Sequence, residues 1–218
     1  MLQSLLAPLL AIAHPLLVPA FAAWGVPVTW IEVAAFAVSL WMVVCEMRVH
    51  PLAWPLAMLS SLAYALLFAD SKLYGEASLQ LFFVAMSLWG WWQWLRGRGD
   101  DGAVLVVHAL TTRKAAAASA ATLLAWPLVA WLLMRFTDST VPWLDALPTV
   151  GSVLGTWLMG RKFIESWWTW IAVNAFSVAL FGYKQLWLTV ILYALFTALS
   201  WAGLRSWRGL RGHVDARS

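Results

Sequence analysis

The fold is decided by a stretch of 43 residues that occurs twice in the chain. Residues 54–96 read WPLAMLSSLAYALLFADSKLYGEASLQLFFVAMSLWGWWQWLR, and residues 167–209 read WWTWIAVNAFSVALFGYKQLWLTVILYALFTALSWAGLRSWRG. At a constant offset of 113 residues, without a gap, ten of the 43 positions are identical. The identical pairs are Trp54/Trp167, Leu67/Leu180, Phe68/Phe181, Leu73/Leu186, Leu79/Leu192, Phe83/Phe196, Ala85/Ala198, Ser87/Ser200, Gly90/Gly203 and Trp94/Trp207. Duplicated helical units are how many membrane transporters build a central substrate site.

The composition indicates a membrane protein. Of the 218 residues, 63% are hydrophobic and 11% are charged, whereas soluble domains are about one quarter charged. The basic residues stand at the ends of apolar segments and form no groove-lining stripe, so no nucleic-acid partner is expected. The single cysteine, Cys45, cannot form an internal disulfide.

Eight apolar spans of about 20 residues are predicted to cross the bilayer. They lie roughly at 3–23, 28–46, 51–69, 75–95, 115–135, 145–160, 166–183 and 185–204. His14, Pro15 and Pro19 interrupt the first span. We expect this span to be a retained helix rather than a cleaved signal peptide.

The charge distribution predicts the orientation. Counting alternate loops from the C-terminus, eleven of the fourteen basic residues fall on one side of the membrane. They are Arg48, Arg96, Arg98, Arg113, Lys114, Arg161, Lys162, Arg205, Arg208, Arg211 and Arg217, against Lys72, Arg135 and Lys184 on the other side. The positive-inside rule therefore puts the C-terminus in the cytoplasm.

Spans two to four and spans six to eight form two triples, with the fifth span between them. A unit of three helices reverses the direction of the chain, and the fifth span restores it, so the repeats are predicted to be parallel. The expected fold is an all-α polytopic bundle with the SWEET-like 3+1+3 architecture and an extra N-terminal helix. The predicted boundaries are 1–27 for the extra helix, 28–97 for the first repeat, 98–140 for a cytoplasmic loop and linker helix, 141–209 for the second repeat and 210–218 for a basic cytoplasmic tail.

One stripe of the seventh span carries the main candidate site. Trp167, Trp170 and Asn174 fall at i, i+3 and i+7 of a helix. Asn174 lies about 12 Å along that helix from Ser166, near the middle of the hydrocarbon core, where an amide must face a partner, a cavity or a ligand. The alternative is a simple bridge to a neighbouring helix, worth about 0.6 kcal/mol in a membrane.

Three further spans offer polar side chains at matching positions. Ser61 is the repeat equivalent of Asn174, and the equivalent stripes of the fourth and eighth spans pair Gln80 with Ser87 and Tyr193 with Ser200. Amides, hydroxyls and indole faces without a fixed charge suit a neutral, hydroxyl-rich ligand with an aromatic ring. Stacking and cation–π contact favour a ring that is flat or positively charged.

Other patterns argue against chemistry. No carboxylate falls clearly at mid-membrane, so ion coupling is not expected. No phosphate-binding loop, zinc-protease motif or nucleophile elbow occurs, and we therefore expect no catalytic residue, metal or cofactor. A membrane-embedded enzyme that uses Glu32 or a histidine remains an alternative, as does a purely structural bundle. Trp89, Trp91, Trp92 and Trp94 precede Arg96, and most of them are expected to be interface anchors.

Several motifs resemble those of one known family. They are Trp30-Ile31-Glu32; Leu73-Tyr74 with Leu79-Gln80-Leu81-Phe82-Phe83 and Gly90-Trp91-Trp92-Gln93-Trp94; Arg161-Lys162-Phe163-Ile164-Glu165-Ser166-Trp167-Trp168-Thr169-Trp170 followed by Asn174; and Leu192-Tyr193. Across residues 28–209 the chain resembles the PnuC-type vitamin transporters. It departs from their pattern at Trp92, where relatives commonly have Tyr, and at Ser166, where Asn is more common.

The resemblance implies facilitated diffusion of a vitamin through a SWEET-like fold in a bacterial inner membrane. It further implies that the ligand is held by Trp167, Trp170 and Asn174 together with Gln80 and Tyr193. Nicotinamide riboside is the expected substrate, trapped inside by a cytoplasmic kinase that phosphorylates it. Thiamine and, after it, riboflavin are the alternatives within the family. The partners expected are thus the vitamin and the lipid bilayer, with a homo-oligomer left open.

Overall fold

The computed structural model describes residues 11, 13–23, 25–70, 74–99, 102–137, 141–183 and 187–215. Residues 11 and 13–17 are helical. The elements that follow are β1 (Pro19–Ala23), β2 (Val26–Thr29), α1 (Trp30–Met47), α2 (Ala53–Asp70), α3 (Tyr74–Arg96), α4 (Thr112–Phe136), α5 (Pro142–Gly160), α6 (Glu165–Tyr183) and α7 (Trp187–Asp215). The chain is therefore mostly helical, as predicted. The repeat pair Leu73/Leu186 and the basic residues Lys72, Lys184 and Arg217 lie outside the described residues.

The secondary structure repeats with the same offset as the sequence. The end of α1 at Met47 recurs 113 residues later as the end of α5 at Gly160. The two non-glycine residues with positive φ in the described chain, Val49 at 54° and Lys162 at 56°, are also 113 residues apart. The duplication thus extends to the turns that follow α1 and α5.

The predicted N-terminal helix ends earlier than expected. Instead of continuing to residue 23, the chain forms an antiparallel hairpin in which β1 pairs with β2. Pro19 and Pro27 cannot donate a helical hydrogen bond, and Gly25 has a φ of 80°, which glycine adopts without a steric cost. A short apolar run does not distinguish strand from helix by periodicity, which is why the sequence pattern was misleading here.

The hairpin leads directly into α1 through a capping box. The carboxylate of Glu32 accepts from the backbone N–H of Thr29 at 2.6 Å and from its hydroxyl at 2.8 Å, while Glu32 N donates to the Thr29 hydroxyl at 3.4 Å. This reciprocal pair satisfies backbone groups that a helix start leaves without partners. The Glu32 carboxylate, the candidate acid of the enzyme alternative, is engaged in starting a helix.

Four helical segments of the described chain are long and apolar enough to cross a membrane, judged by length and composition. They are Trp30–Met47, Ala53–Asp70, Thr112–Phe136 and Thr189–Leu210. These segments indicate a multi-pass membrane protein. The full set of eight spans stays a prediction.

The chain divides into two compact units. The first contains the described residues up to Cys45 together with 52–88, and the second contains 46–51 and the described residues from 89 onward. The division falls inside α3 and just before the end of α1, and the predicted repeat boundaries stay a prediction. In the first unit, Cys45, Ala53 and Leu56 form a buried apolar cluster. In the second unit, α6 packs between α5 and α7.

Candidate functional site

One face of α6 carries the predicted site residues. Trp167, Trp170 and Asn174 lie at i, i+3 and i+7, and Ser177 continues the same face at i+10. Trp167, Asn174 and Ser177 are buried, and Trp170 is half-buried. We refer to these four residues as the α6 stripe. It extends about 15 Å along the helix axis at 1.5 Å per residue.

Glycines on both neighbouring helices make room for the two indoles. A Cβ atom at Gly155 on α5 would lie 3.0 Å from the Trp170 ring, and a Cβ atom at Gly203 on α7 would overlap the Trp167 ring. Small residues at such contacts allow helices in a membrane to approach closely. Trp170 therefore faces α5 and Trp167 faces α7, so the stripe is enclosed on two sides.

Asn174 bridges α6 and α7. Its amide Nδ2 donates to the hydroxyl of Ser200 at 3.2 Å, and that hydroxyl in turn donates to the carbonyl of Phe196 at 2.7 Å. The contact is the helix bridge that the sequence left open as the alternative to ligand binding. An amide NH₂ has a second hydrogen and an oxygen that accepts, so the bridge leaves Asn174 further capacity for hydrogen bonding.

Three polar groups of the α6 stripe are buried without a hydrogen-bond partner in the described structure. They are the indole N–H groups of Trp167 and Trp170 and the hydroxyl of Ser177. Leaving such a group unpaired costs about 1 to 3 kcal/mol, and native proteins contain few of them. Three on one face of one helix mark the stripe as a place where a hydrogen-bonding ligand would be stabilised.

Tyr193 extends the same region on α7. It is half-buried, and its ring stacks on Phe181 of α6 with centroids 5.2 Å apart and an interplanar angle of 17°. Phe181 is four residues beyond Ser177, one turn further along α6. The second unit thus brings together Trp167, Trp170, Asn174 and Tyr193 on two packed helices.

The other three predicted residues belong to the first unit. Ser87 on α3 is buried, whereas Gln80 on α3 and Ser61 on α2 are half-buried. The buried, bonded hydroxyl of α2 is that of Ser60, which lies 2.8 Å from the Ser39 hydroxyl. The repeat register identified the right turn of α2 but does not tell which of two adjacent serines is buried. A substrate role for Ser61, Gln80 and Ser87 stays a prediction.

Sequence reasoning did not single out Ser177. Its signal was the continuation of the 167, 170, 174 spacing by one more turn. Serine is common in transmembrane helices as a packing residue, so spacing alone did not distinguish it from its neighbours. Its complete burial without a partner became visible only in three dimensions.

Three indoles close one end of the second unit. Trp94 donates its N–H to the carbonyl of Met159 and Trp207 donates to that of Glu46, each at 2.9 Å. The Trp207 ring lies 5.6 Å from that of Trp167, at 87°. Of the four tryptophans expected to be mostly anchors, Trp91 and Trp92 are exposed, whereas Trp94 is buried in this closure.

Lys162 fixes the loop before α4 to the turn between α5 and α6. Its ammonium donates to the carbonyl of Leu105 at 2.9 Å and lies 5.3 Å from the centre of the Trp94 ring. Burial lowers the pKa of this ammonium from its ordinary value of 10.5. The backbone of His108 pairs with residues 162 and 164, and the Glu165 carboxylate accepts from the Leu110 N–H at 2.9 Å.

Basic residues gather at this end of the second unit, which we call the basic end. The Arg161 guanidinium contacts the Arg98 carbonyl at 3.5 Å, and the Lys114 ammonium lies 5.7 Å from the Phe163 ring centre. The Ser206 hydroxyl donates to the carbonyl of Met47, next to Arg48, at 2.9 Å. These basic residues, which the charge pattern assigned to one side of the membrane, therefore lie near one another in the fold.

Within the described ranges, no group of three His, Cys, Asp or Glu side chains is arranged to hold a metal ion. The expectation that the protein needs no metal or cofactor stays a prediction.

A family model described as nicotinamide mononucleotide transporter matches residues 29–209. The riboflavin/roseoflavin transporter RibM of Streptomyces davaonensis is 32% identical over 167 residues, which are 75% of this chain and 77% of RibM. The nicotinamide riboside transporter PnuC of Escherichia coli is 25% identical over 168 residues, 66% of this chain and 70% of PnuC. A crystal structure of the vitamin B3 transporter PnuC superposes with a TM-score of 0.67 at 24% identity, covering 83% of this chain and 81% of that one. The last match establishes a shared fold.

Proposed function

The chain belongs to the nicotinamide mononucleotide transporter family, and on this premise we propose that it imports nicotinamide riboside by facilitated diffusion. It is a multi-pass membrane protein of a transporter family and not an enzyme. The relatives named above supply the substrate class, since their names describe carriers of nicotinamide riboside and of riboflavin. Each of these ligands joins a flat ring to a chain or ring of hydroxyls.

The α6 stripe is the observation that carries the proposal. Nicotinamide riboside has a flat, positively charged ring, and indole faces such as those of Trp167 and Trp170 attract such a ring by stacking and cation–π contact. The unpaired indole N–H groups and the remaining capacity of the Asn174 amide can bond the ribose hydroxyls and the carboxamide. None of the four residues of the stripe is charged, so a ligand needs no oppositely charged group in order to bind there.

Facilitated diffusion follows from the same chemistry. The stripe contains amide, hydroxyl and indole groups and no carboxylate that would bind a proton or a sodium ion. Net import then requires removal of the substrate inside. A cytoplasmic kinase that phosphorylates the vitamin supplies this removal, because the added negative charge turns the substrate into a product that the uncharged stripe does not stabilise.

The proposed architecture has two parallel triples, α1–α3 and α5–α7, separated by α4 in the SWEET-like 3+1+3 order. The equivalent ends of α1 and α5 and the positive φ angles of Val49 and Lys162 support it, and so does the gathering of basic residues at one end of the second unit. By the positive-inside rule this basic end faces the cytoplasm of a bacterial inner membrane. A C-terminal fusion to a reporter active only in the periplasm should be inactive, and an active fusion would overturn the orientation.

Riboflavin is the second candidate substrate. RibM is more similar to this chain than the PnuC relative named above, at 32% against 25% identity. Its flat ring system and hydroxyl-bearing side chain have the groups that the α6 stripe would recognise. Thiamine, considered from the sequence, gains no support from the relatives named above.

Purified protein in liposomes tests the proposal. Labelled nicotinamide riboside should enter until the inner and outer concentrations are equal, at the same rate with or without proton and sodium gradients. Riboflavin in excess should compete if it uses the same site, and its own entry would then be followed by fluorescence. Accumulation above the external concentration that depends on a gradient would rule out facilitated diffusion. Entry of riboflavin alone would move the assignment to the second candidate.

A further inference from the structure

We propose that Ser177 is a further substrate-binding residue, whose hydroxyl bonds a hydroxyl group on the ribose or ribityl part of the ligand. The inference deepens the proposed function and rests on it. The sugar portion of the ligand would contact α6 at Ser177, about one turn beyond Asn174 towards the C-terminal end of the helix.

The hydroxyl of Ser177 behaves unlike other hydroxyls on the described helices. Seven of them donate to the carbonyl four residues earlier, at 2.7 to 3.1 Å. These are Ser39, Thr122, Thr149, Thr156, Thr169, Thr197 and Ser200. Such a back-bond is the usual way for a serine or threonine inside a helix to satisfy its donor. Ser177 lacks it although the residue is wholly buried, with a relative exposure of 0%.

The position of Ser177 fits the polar part of a ring-bearing ligand. It follows Asn174 by three residues, about 4.5 Å along the axis at 1.5 Å per residue, on the same face. The two indoles lie in the opposite direction from Asn174. A ligand whose ring lies against Trp167 and Trp170 would therefore direct its hydroxyls towards Asn174 and Ser177.

The two possible roles of Ser177 have opposite consequences for stability. Removing a hydroxyl that holds the fold together lowers stability, whereas removing a buried hydroxyl without a partner relieves the cost of its desolvation. We therefore expect Ser177→Ala to unfold at the same temperature as the wild type or at a higher one in the absence of ligand. Its affinity for nicotinamide riboside should fall by about three- to tenfold, the usual effect of losing one neutral hydrogen bond.

Ser39→Ala is the matched control. The Ser39 hydroxyl donates to the Ala35 carbonyl at 2.8 Å and contacts the Ser60 hydroxyl. Its removal should lower the unfolding temperature and leave the affinity for nicotinamide riboside unchanged. Ser177→Ala should thus lose affinity and keep its unfolding temperature, whereas Ser39→Ala should lose unfolding temperature and keep its affinity.

Deoxy analogues of nicotinamide riboside, each lacking one ribose hydroxyl, identify the bonded group. For the analogue that lacks the hydroxyl bonded by Ser177, wild type and Ser177→Ala should bind equally well, because the interaction is already gone. For the other analogues the three- to tenfold difference should persist. If riboflavin proves to be the substrate, the same comparison applies to analogues shortened in the ribityl chain.

The measurements are isothermal titration of the purified proteins with nicotinamide riboside and with riboflavin, and thermal unfolding without ligand. Wild-type protein that binds neither ligand would overturn the proposed function and this inference with it. Wild-type binding with unchanged affinity in Ser177→Ala would overturn the inference alone. A drop in unfolding temperature for Ser177→Ala comparable to that for Ser39→Ala would also overturn it, because it would show a structural hydroxyl.

Discussion

Trp94 and Trp207 make the same hydrogen bond in opposite copies of the repeat. The two residues are 113 positions apart, and their rings lie 6.3 Å from each other. Trp94 at the end of α3 donates to Met159 near the end of α5, and Trp207 on α7 donates to Glu46 near the end of α1. The two acceptors are also 113 positions apart. The last helix of each copy is therefore hydrogen-bonded to the first helix of the other copy. These two equivalent bonds close the basic end.

Loss of either indole N–H should weaken this closure by a similar amount. The two carbonyls keep the backbone N–H that also donates to them, from Lys162 to Met159 and from Val49 to Glu46. Trp94→Phe and Trp207→Phe therefore each lose one net hydrogen bond, which we expect to cost about 0.5 to 1.5 kcal/mol of unfolding free energy. Because the rings are neighbours, the two losses of unfolding free energy should not be additive, and the loss in the double variant should differ from the sum of the two single losses. Thermal unfolding of the detergent-purified variants measures all three effects.

Trp92→Phe provides the control for the closure, since Trp92 is 55% exposed and an exposed position should tolerate the change within about 0.5 kcal/mol. Similar losses for Trp92, Trp94 and Trp207 would show that the two hydrogen bonds have no special role.

Gly203→Ala should displace the Trp167 indole. The added Cβ would overlap the Trp167 ring, which is buried at 1% exposure and also contacts Trp207. We expect a stability loss of about 1 to 3 kcal/mol from overpacking, together with weaker substrate binding. Gly209→Ala on the same helix meets no atom within 4 Å and should be neutral or slightly stabilising, because alanine favours helix over glycine. Equal behaviour of the two variants in unfolding and binding assays would contradict the close approach of α6 and α7.

Stability should rise with pH in the range where Lys162 titrates. Burial lowers the pKa of its ammonium in the folded protein from 10.5, so between the two pKa values the unfolded chain binds more protons and the free energy of unfolding increases with pH. Below the folded pKa the lysine is charged in both states and the full desolvation cost remains. Relative to Lys162→Met, the wild type should gain stability as the pH approaches 10.5. A constant difference between the two unfolding curves across this range would show that the ammonium is not desolvated.

The sequence predicted the helices of both triples because these depend on local signals, and the substrate role of the main candidate site stays a prediction. The 113-residue offset of the sequence recurs in the ends of α1 and α5, and the spacing of Trp167, Trp170 and Asn174 placed them on one face. The hairpin at Pro19–Thr29 was missed because a short apolar run with prolines fits either a broken helix or a strand.

Other features depend on how helices rotate against each other, which the spacing along one helix does not determine. The choice of Ser200 as the partner of Asn174, the burial of Ser60, and the unpaired hydroxyl of Ser177 are of this kind. The sequence did not predict the reciprocal hydrogen bonds of Trp94 and Trp207, for another reason. Tryptophan beside arginine at the end of a span is usually an interface anchor, and only the contacts distinguish Trp94 from its exposed neighbour Trp92.

The central claim is that the α6 stripe binds the vitamin, and it is tested most directly by comparing Asn174→Leu with Ser200→Ala. Both variants remove the 3.2 Å bridge between α6 and α7, but only the first removes the amide. If Asn174 bonds the substrate, titration with nicotinamide riboside should show an affinity about tenfold to more than a hundredfold lower in Asn174→Leu, and close to wild type in Ser200→Ala. Equal affinities in the two variants, accompanied by equal losses of thermal stability, would mean that Asn174 only joins the helices and that the substrate binds elsewhere.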